Sequence, residues 1–364
     1  MADAEEIAEA LQDAKDGEEC DLCGKNLTEI PEAVFAMDHL LQLDIGENTV
    51  ASIGAGIGNL TNLERLYCEE NELVNIDPAI GALGALQELT LMKNKLTSLP
   101  EELCNCQELE SIFLDDNDIE MLPAGFGSLA KLGGLKMNNN KLRAFPHGFG
   151  NLEACEGVYC EHNELDDASF PNECEFEKMA NLKELHLGFN TINTFPTSFC
   201  FMVSMEWLDM RDNSVTALPR AINSMVNLKR LYLQNNNLTK LPTSFPELTK
   251  LEWLNLESND IVKLPNKTGD LASLKGLFLR NNKLEKLPKS IVRLVNLEDT
   301  TLSGNPFTEP IPGEFLLHRS ALRQSVSVEL ASTPCSAAAA EHLANESFVP
   351  AMGAITEEDE EEED

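Results

Sequence analysis

Residues 86–100, LQELTLMKNKLTSLP, contain a pattern that repeats along most of this chain of 364 residues. Its frame, L-x-x-L-x-L-x-x-N-x-L-x-x-L-P, returns at residues 274–288 as LKGLFLRNNKLEKLP. Self-similarity at a fixed period indicates a repeat architecture, in which each unit buries its apolar face against its neighbours. The central asparagine recurs at steps of 23 residues, with one step of 27, at Asn48, Asn71, Asn94, Asn117, Asn140, Asn163, Asn190, Asn213, Asn236, Asn259, Asn282 and Asn305.

The leucines before each asparagine alternate with other residues, which predicts a short strand with one buried face. Because stacked units bring these strands side by side, we expect a parallel sheet along a concave surface. The asparagine amide is expected to bond backbone groups that no neighbouring strand reaches. Proline and a second apolar residue follow, as in Leu122-Pro123 with Phe126, and predict convex loops with short helical turns. The predicted fold class is α/β, a leucine-rich-repeat solenoid or horseshoe.

One unit departs from the frame. After Asn163 the next asparagine comes 27 residues later, Ala168 replaces a leucine, and Phe170-Pro171 arrives two residues late. We expect the additional residues to form a bulge on the convex side.

Both ends of a solenoid expose apolar faces unless they are capped. Ile7, Leu11 and Ala14 fit one face of a helix before the first repeat, and Phe315 begins a similar stripe after the last. The final segment is rich in Ala and Ser and then wholly acidic, which is typical of disorder. The predicted organisation is an acidic capping helix at 1–19, a solenoid of about 13 repeats at 20–307, a C-terminal cap at 308–330, and a disordered segment with an acidic tail at 331–364.

The formal net charge of −35 comes partly from the ends, with −7 in residues 1–19 and −8 in residues 357–364. The remaining −20 still gives the body an acidic surface, which repels phosphate backbones and anionic lipid. We therefore expect no nucleic-acid partner. The sequence shows no signal peptide and no apolar run of membrane-spanning length, so we expect no membrane insertion and a cytoplasmic location, with the nucleus as the alternative.

The ten cysteines do not indicate disulfides or a metal site. Cys20, Cys68, Cys155 and Cys160 stand where other repeats carry Leu, Ile, Met or Val, so we expect them to be buried as apolar residues. The Cys20-x-x-Cys23 spacing has no partner pair at a suitable distance. We expect no metal and no cofactor.

The L-P-x-x-[IF] motif of the convex segments and the closing Gly304-Asn305-Pro306-Phe307 resemble intracellular 23-residue leucine-rich-repeat proteins of the Ras-suppressor and Scribble-like group. The resemblance covers roughly residues 20–307. It implies a scaffold in signalling, with a small GTPase or a signalling kinase or phosphatase as the partner. The resemblance is specific for the fold. It does not specify the function, because this architecture serves many unrelated partners.

Strand periodicity places the residues six, four, two and one before each asparagine, and the one after it, on the concave face. Every tyrosine and tryptophan of the chain falls at such a position, where amphipathic aromatic residues can anchor a partner. The alternative is that these residues only suit a half-exposed sheet. The aromatic and histidine candidates are Tyr67, Phe113, Tyr159, His186, Trp207, Tyr232, Trp253 and Phe278.

The two halves of this face differ in charge. From Asn71 to Asn163 the flanking charges alternate in sign from one repeat to the next, which would support the sheet through lateral pairs. From Asn190 to Asn282 the face is less acidic and adds Arg211, Arg230 and Arg280 to the candidates. Tryptophan, tyrosine and arginine are enriched in binding hot spots, so the partner is expected here. His186 is interpreted as an isolated, solvated or stacked histidine.

Three functions remain open. The first is a non-enzymatic scaffold that holds a protein in the concave groove. The second is an acidic regulator that binds basic proteins or inhibits a phosphatase through the tail at 357–364. The third is an enzyme, which the sequence disfavours because residues 308–364 are too few and too polar to fold a catalytic domain and no catalytic motif is present.

Overall fold

The computed structural model describes residues 4–312 and Phe315. It begins with one α-helix, α1 (Ala4–Ala14), followed by short strands. These strands are β1 (Glu19–Asp21), β2 (Gln42–Asp44), β3 (Ser52–Ile53), β4 (Arg65–Tyr67), β5 (Asn75–Ile76), β6 (Glu88–Thr90), β7 (Ser111–Phe113), β8 (Gly134–Lys136), β9 (Gly157–Tyr159), β10 (Glu184–His186), β11 (Trp207–Asp209), β12 (Arg230–Tyr232), β13 (Trp253–Asn255), β14 (Gly276–Phe278) and β15 (Asp299–Thr301).

Thirteen of these strands form one parallel sheet, in which each strand pairs with its neighbours in the repeat order. The strands β3 and β5 pair separately with each other. The register keeps equivalent residues side by side, as in Leu208, Leu231 and Leu254 on β11 to β13, and these leucines are buried. The chain therefore has the predicted leucine-rich-repeat horseshoe fold, with the apolar residue at the middle of each strand turned into the core.

Short 3₁₀ helices form the side opposite the sheet, as predicted. The unit after Asn163 contains three of them, whereas a regular unit contains one, so the additional residues are accommodated on the convex side. The helices in the described residues are Val34–Ala36, Ala55–Asn59, Pro78–Ala82, Glu101–Asn105, Phe126–Ser128, Phe149–Asn151, Asp167–Ser169, Asn172–Cys174, Phe176–Lys178, Thr197–Phe201, Arg220–Ser224, Phe245–Glu247, Thr268–Asp270 and Lys289–Arg293.

The repeated asparagines are structural, as predicted. Asn236 is 7% exposed, and its Nδ2 donates to the carbonyl oxygens of Met210, Leu233 and Gln234 at 2.9, 3.2 and 3.3 Å. Its Oδ1 accepts a hydrogen bond from the backbone N–H of Val215 at 2.8 Å. One amide therefore satisfies backbone groups of its own turn and of the preceding repeat, which fixes the spacing between units.

The residue directly before each asparagine has a left-handed backbone. Its φ lies between 51° and 57° in the non-glycine cases, from Glu47 to Asn281, and is 70° at Gly304. Non-glycine residues adopt this conformation only infrequently, and Asn and Asp tolerate it best. This conformation turns the chain out of the strand, so that the following asparagine points into the core.

Helix α1 packs on the N-terminal end of the solenoid core. Ile7, Ala10 and Leu11 of α1 pack against the core, and Ala14 is fully buried. The expected C-terminal cap at 308–330 and the tail at 331–364 lie outside the described residues, except for residues 308–312 and Phe315. Within the described part of the chain, no helix is long and apolar enough to cross a membrane.

The cysteines predicted to fill the core do so. Cys20, Cys68, Cys155 and Cys160 are each at most 1% exposed, and their thiols are free. Burial raises the pKa of the Cys20 thiol to about 11, with a smaller contribution from Asp21. These cysteines therefore remain protonated and act as small apolar residues.

Candidate functional site

Four aromatic rings from consecutive strands form a continuous row that begins at the last strand of the N-terminal half and extends into the half where a partner is expected. His186 on β10 stacks on Tyr159 of β9 at 4.7 Å between ring centroids and meets the edge of Trp207 on β11 at 4.6 Å. Trp207 in turn lies 5.8 Å from Tyr232 on β12. The guanidinium of Arg230 lies 4.7 Å from the Trp207 ring, a cation–π distance. We call Tyr159, His186, Trp207 and Tyr232 the aromatic row.

A second aromatic pair continues this surface. Trp253 on β13 stacks parallel to Phe278 on β14, with the ring centroids 6.3 Å apart. Gly276 stands beside Trp253 in the register of the two strands and leaves room for the indole. A Cβ atom at this position would lie 2.3 Å from Cε3 of Trp253. The indole therefore occupies space that a side chain at position 276 would fill.

This contact predicts a cost for Gly276→Ala. The added methyl group forces the Trp253 indole to move, and overpacking of this kind costs about 1–3 kcal/mol. We expect denaturant unfolding to show that loss. The matched control is Gly134→Ala, the same position on β8, where a Cβ atom would meet nothing within 4 Å. Equal stability of the two variants would contradict this account of Gly276.

An ionic cluster lies against the aromatic row. The Nη2 atom of Arg211 donates to both carboxylate oxygens of Glu161 at 2.9 and 3.0 Å, and its Nε lies 3.4 Å from Oδ2 of Asp209. The Nδ1 atom of His186 lies 3.5 Å from Oε1 of Glu161. We call Glu161, His186, Asp209 and Arg211 the ionic cluster. Its two carboxylates face one guanidinium, which neutralises about half of their charge.

Burial and internal contacts shift the pKa values of the two acids in the ionic cluster. Asp209 is only 1% exposed, and desolvation raises the pKa of its carboxyl from 3.8 to about 6, although the Arg211 N–H and the Arg211 charge oppose the increase. For Glu161 the contact with His186 lowers the pKa, burial opposes this, and Arg211 adds to it. The two acids of one cluster are thus pushed in opposite directions.

The ionic cluster also brings together metal-ligating atom types. Glu161, His186 and Asp209 each place one candidate ligand atom within 4.8 Å of the other two. Arg211 contacts both carboxylates and supplies one positive charge between them. We therefore regard Arg211 as the cation that partly balances these acids.

Two of the candidate residues have internal contacts. His186 is stacked, which was one of the two expected alternatives, but it is neither isolated nor solvated: it is 7% exposed, stacks on Tyr159, and is bordered by Glu161 and by Glu184, whose Oε2 is 3.8 Å from Nε2. Arg211 carries internal ion pairs, because the buried Asp209 needs a nearby cation. Both residues are therefore held in place by contacts within the sheet, beside Arg230 and the aromatic rings.

Four side-chain polar atoms of this region are buried without a hydrogen-bond partner among the described residues. They are Nε2 of His186, Nε1 of Trp207, Nε of Arg211 and Oε1 of Gln234. An unpaired buried polar group costs about 1–3 kcal/mol, so stability alone does not favour these residue types here. Such exceptions concentrate at functional sites.

The remaining aromatic candidates lie apart from the aromatic row. Tyr67 donates a hydrogen bond to Glu88, and Phe113 lies 5.4 Å from the Lys136 ammonium, so both have internal contacts on the N-terminal half. The alternating charges of that half also pair between repeats, as Lys93 does with Glu70 at 2.6 Å. Such exposed pairs contribute little stability each, but the lateral pairing matches the expectation for this half.

Arg230 and Arg280 are exposed arginines of this surface. Neither forms an ion pair within the described residues. A small depression of about 260 Å³ lies at the other end of the aromatic row, where Gly134 and Gly157 leave space beside Tyr159 and Glu184. The surface from β9 to β14 thus combines rings, two unpaired arginines and a recess.

Sequence reasoning missed the acids that organise this surface. Asp209 and Asp44 occupy the same position four before an asparagine where Asn255 stands in another repeat. All three accept a hydrogen bond from the backbone N–H two residues later, at 2.8–3.0 Å. That shared position was a signal for a local turn, but only the structure shows that the Asp209 carboxylate is buried beside Arg211 of the same repeat and that Arg211 also reaches Glu161 two strands away.

The fold and the repeats agree with known proteins. A family model described as leucine rich repeat matches residues 61–119 and 216–261. A search of curated protein sequences finds no significant match. These findings support a leucine-rich-repeat protein and do not confirm the resemblance to the Ras-suppressor and Scribble-like group.

Solved structures extend the agreement over most of the chain. The chain is similar to a leucine-rich-repeat protein of Leptospira interrogans, with a TM-score of 0.61 and 27% identity over 85% of this chain and 94% of that one. It is also similar to YopM from Yersinia enterocolitica, with a TM-score of 0.62 and 25% identity over 85% of this chain and 62% of that one. An internalin from Listeria monocytogenes, with a TM-score of 0.60 and 18% identity over 80% and 89% of the two chains, shares the fold.

Proposed function

We propose that this leucine-rich-repeat protein is a non-enzymatic scaffold that binds a protein partner in its concave groove, over the surface from β9 to β14. The observation that carries the proposal is the aromatic row beside Arg230, which combines tryptophan, tyrosine and arginine on a rigid sheet. These residue types contribute most binding energy in protein interfaces, and a preformed surface costs little ordering entropy on binding.

The polar groups of the groove favour one kind of contact. Arg230 and Arg280 are not compensated by ion pairs within the described residues, so a partner that presents carboxylates next to apolar side chains fits this surface. The family resemblance adds intracellular signalling, with a small GTPase or a signalling kinase or phosphatase as the proposed partner. A cytoplasmic location, with the nucleus as the alternative, belongs to the same proposal.

The test is the double variant Trp207→Ala/Trp253→Ala. Both indoles are half-buried on the groove side of the sheet, so the core leucines remain in place when they are removed. Loss of hot-spot residues costs about 2 kcal/mol or more each, which corresponds to about 30-fold in affinity per residue. We expect the variant to lose the partner in a quantitative capture from cell lysate and to bind the purified partner at least 30-fold more weakly.

The matched control is Phe201→Ala, which removes an aromatic residue that is 54% exposed in the 3₁₀ helix Thr197–Phe201 on the opposite side. Retention of the partner by this control and its loss from the double variant would support the groove. A chain that ends at Thr356 tests the alternative acidic regulator, because loss of the partner from this truncation alone would assign binding to the tail. Unfolding of the tryptophan variant would contradict the placement of both indoles outside the core.

A further inference from the structure

A basic cavity lies at the C-terminal end of the solenoid, outside the groove. Its volume is about 410 Å³, and its floor includes Leu264, Leu287 and Pro288. Four cationic side chains and one carboxylate surround this floor. They are Lys263, Lys286, Lys289, Arg293 and Glu309. In a protein with a net charge of −35, this is a local reversal of sign.

The positive charge of the cavity is only partly balanced. Lys286 pairs with Glu309 at 2.9 Å, and Arg293 pairs with Asp270 at 2.6 Å. Lys263 and Lys289 are exposed and form no ion pair within the described residues. Two cations thus remain available for an anionic ligand, above a floor that excludes water from one side.

The repeat geometry concentrates this charge. Lys240 and Lys263 are bridge partners in adjacent units, and Lys286 occupies the same position in the next unit. The corresponding bridge in earlier units joins Ser98, Met121 and Ala144, which carry no charge. Like charges at adjacent positions repel each other, so the array is disfavoured without an anion. The sequence therefore carries a basic stripe at the end of the solenoid that the sheet does not require.

We propose that the acidic run at residues 357–364 of this same chain docks on the basic cavity. The run EEDEEEED supplies eight carboxylates in succession, which complement the cationic side chains of the cavity. The proposal concerns a second surface and does not depend on the groove partner.

Chain length permits this contact. Glu309 lines the cavity, and residues 310–356 connect it to the acidic run. Fully extended, that connection reaches on the order of 150 Å, so it does not restrict return to the cavity. A tethered ligand also acts at an effective concentration that is on the order of millimolar for short connections, so modest contacts suffice to occupy the site.

Docking of the run has two consequences. It covers Lys263 and Lys289, so an external acidic protein must compete with the run for the cavity. It also removes the run from contact with basic proteins. Because the pairs are exposed, the contact weakens as salt concentration rises.

The test uses a labelled peptide with the sequence of residues 351–364 and measures its fluorescence anisotropy at low salt. The chain that ends at Thr356 is expected to bind the peptide, and the full chain at least 10-fold more weakly, because its own run occupies the cavity. Lys263→Gln/Lys289→Gln in the truncated chain is expected to weaken binding at least 10-fold. The matched control is Lys131→Gln/Lys250→Gln, which removes the same charge from exposed positions elsewhere and is expected to change binding less than twofold.

A second measurement uses the full chain without a peptide. Carbodiimide treatment joins adjacent amines and carboxylates, and mass spectrometry is expected to find Lys263 or Lys289 joined to residues 357–364 within one chain. The proposal is overturned if the two double-lysine variants bind the peptide equally, if the truncated chain does not bind it, or if the full chain binds it as tightly as the truncated one.

Discussion

Asn236→Ala is expected to destabilise the solenoid by about 3–5 kcal/mol, which is a large part of the stability of a typical domain. The side chain makes four hydrogen bonds with backbone groups of two repeats, and it is buried. Alanine leaves the Val215 N–H and the Met210 carbonyl without that partner in a place that water does not reach. Each such group costs about 1–3 kcal/mol. Equilibrium unfolding in denaturant measures the loss.

The control for this substitution is the next residue in the chain. Asn237→Ala makes the same chemical change at an exposed position, where the side chain forms no hydrogen bond within the described residues. We expect a change within about 0.5 kcal/mol. If Asn236→Ala were equally mild, the asparagines would not hold neighbouring repeats together. Because each repeat contacts only its neighbours, the loss is expected to spread to adjacent units and to broaden the transition.

Asp209→Asn is expected to stabilise the protein at neutral pH, by up to about 3 kcal/mol. Burial raises the pKa of the Asp209 carboxyl from 3.8 to about 6, and each pKa unit corresponds to about 1.4 kcal/mol. The asparagine amide oxygen can still accept the Arg211 N–H, as Asn255 does in its own repeat. The substitution therefore removes the buried charge and keeps the local turn.

The pH dependence of this effect has a fixed sign. Since the pKa of Asp209 is higher in the folded than in the unfolded chain, the folded state binds the proton more tightly. Protonation of Asp209 therefore stabilises the folded state. This contribution to the free energy of unfolding is fully present below about pH 4 and is lost as the pH rises through about 6. The difference in unfolding free energy between Asp209→Asn and the unsubstituted chain should thus be largest at pH 7 and fall to about half by pH 5.

Asp212→Asn serves as the comparison for charge alone. Asp212 has the left-handed backbone before Asn213, where other repeats carry Asn139, Asn235 and Asn281. The substitution removes one negative charge but does not remove a buried carboxylate. We therefore expect the free energy of unfolding to change by less than about 0.5 kcal/mol at any pH. If the difference in unfolding free energy between Asp209→Asn and the unsubstituted chain were the same at pH 7 and pH 5, burial of Asp209 would not control the protonation of its carboxyl.

The fold could be predicted from sequence because each level of the pattern repeats. A single asparagine says little, but its return every 23 residues with leucines on both sides specifies the strand, the turn and the parallel order together. The left-handed residue before it is indicated only in the repeats that carry Asn, Asp or Gly there, because other repeats have Glu, Lys, His, Ser or Phe at this position. The left-handed backbone of the bulky Phe189, with φ 55°, could not be predicted, because the stacking of its ring on His162 at 4.0 Å depends on the neighbouring repeat.

The site could be predicted only in part. Strand periodicity placed Trp207, Tyr232 and Trp253 on one face, since facing follows from alternation alone. The ionic cluster could not be derived, because Glu161 and Arg211 lie two strands apart and meet only through the lengths and directions of their side chains. Sequence also treated Arg211 and Arg230 alike, whereas the structure pairs the first with buried acids and leaves the second over an aromatic ring.

The placement of the tryptophans gives the protein an internal optical reporter. The chain has two indoles, Trp207 and Trp253, and both lie on the groove side of the sheet. Their emission therefore responds to the solvent and the charges at that surface, while the convex side is spectroscopically silent. Replacing either one by phenylalanine separates the signal of the aromatic row from that of the Trp253–Phe278 pair. Binding in the groove can then be followed by intrinsic tryptophan fluorescence at each of the two positions, without an added label.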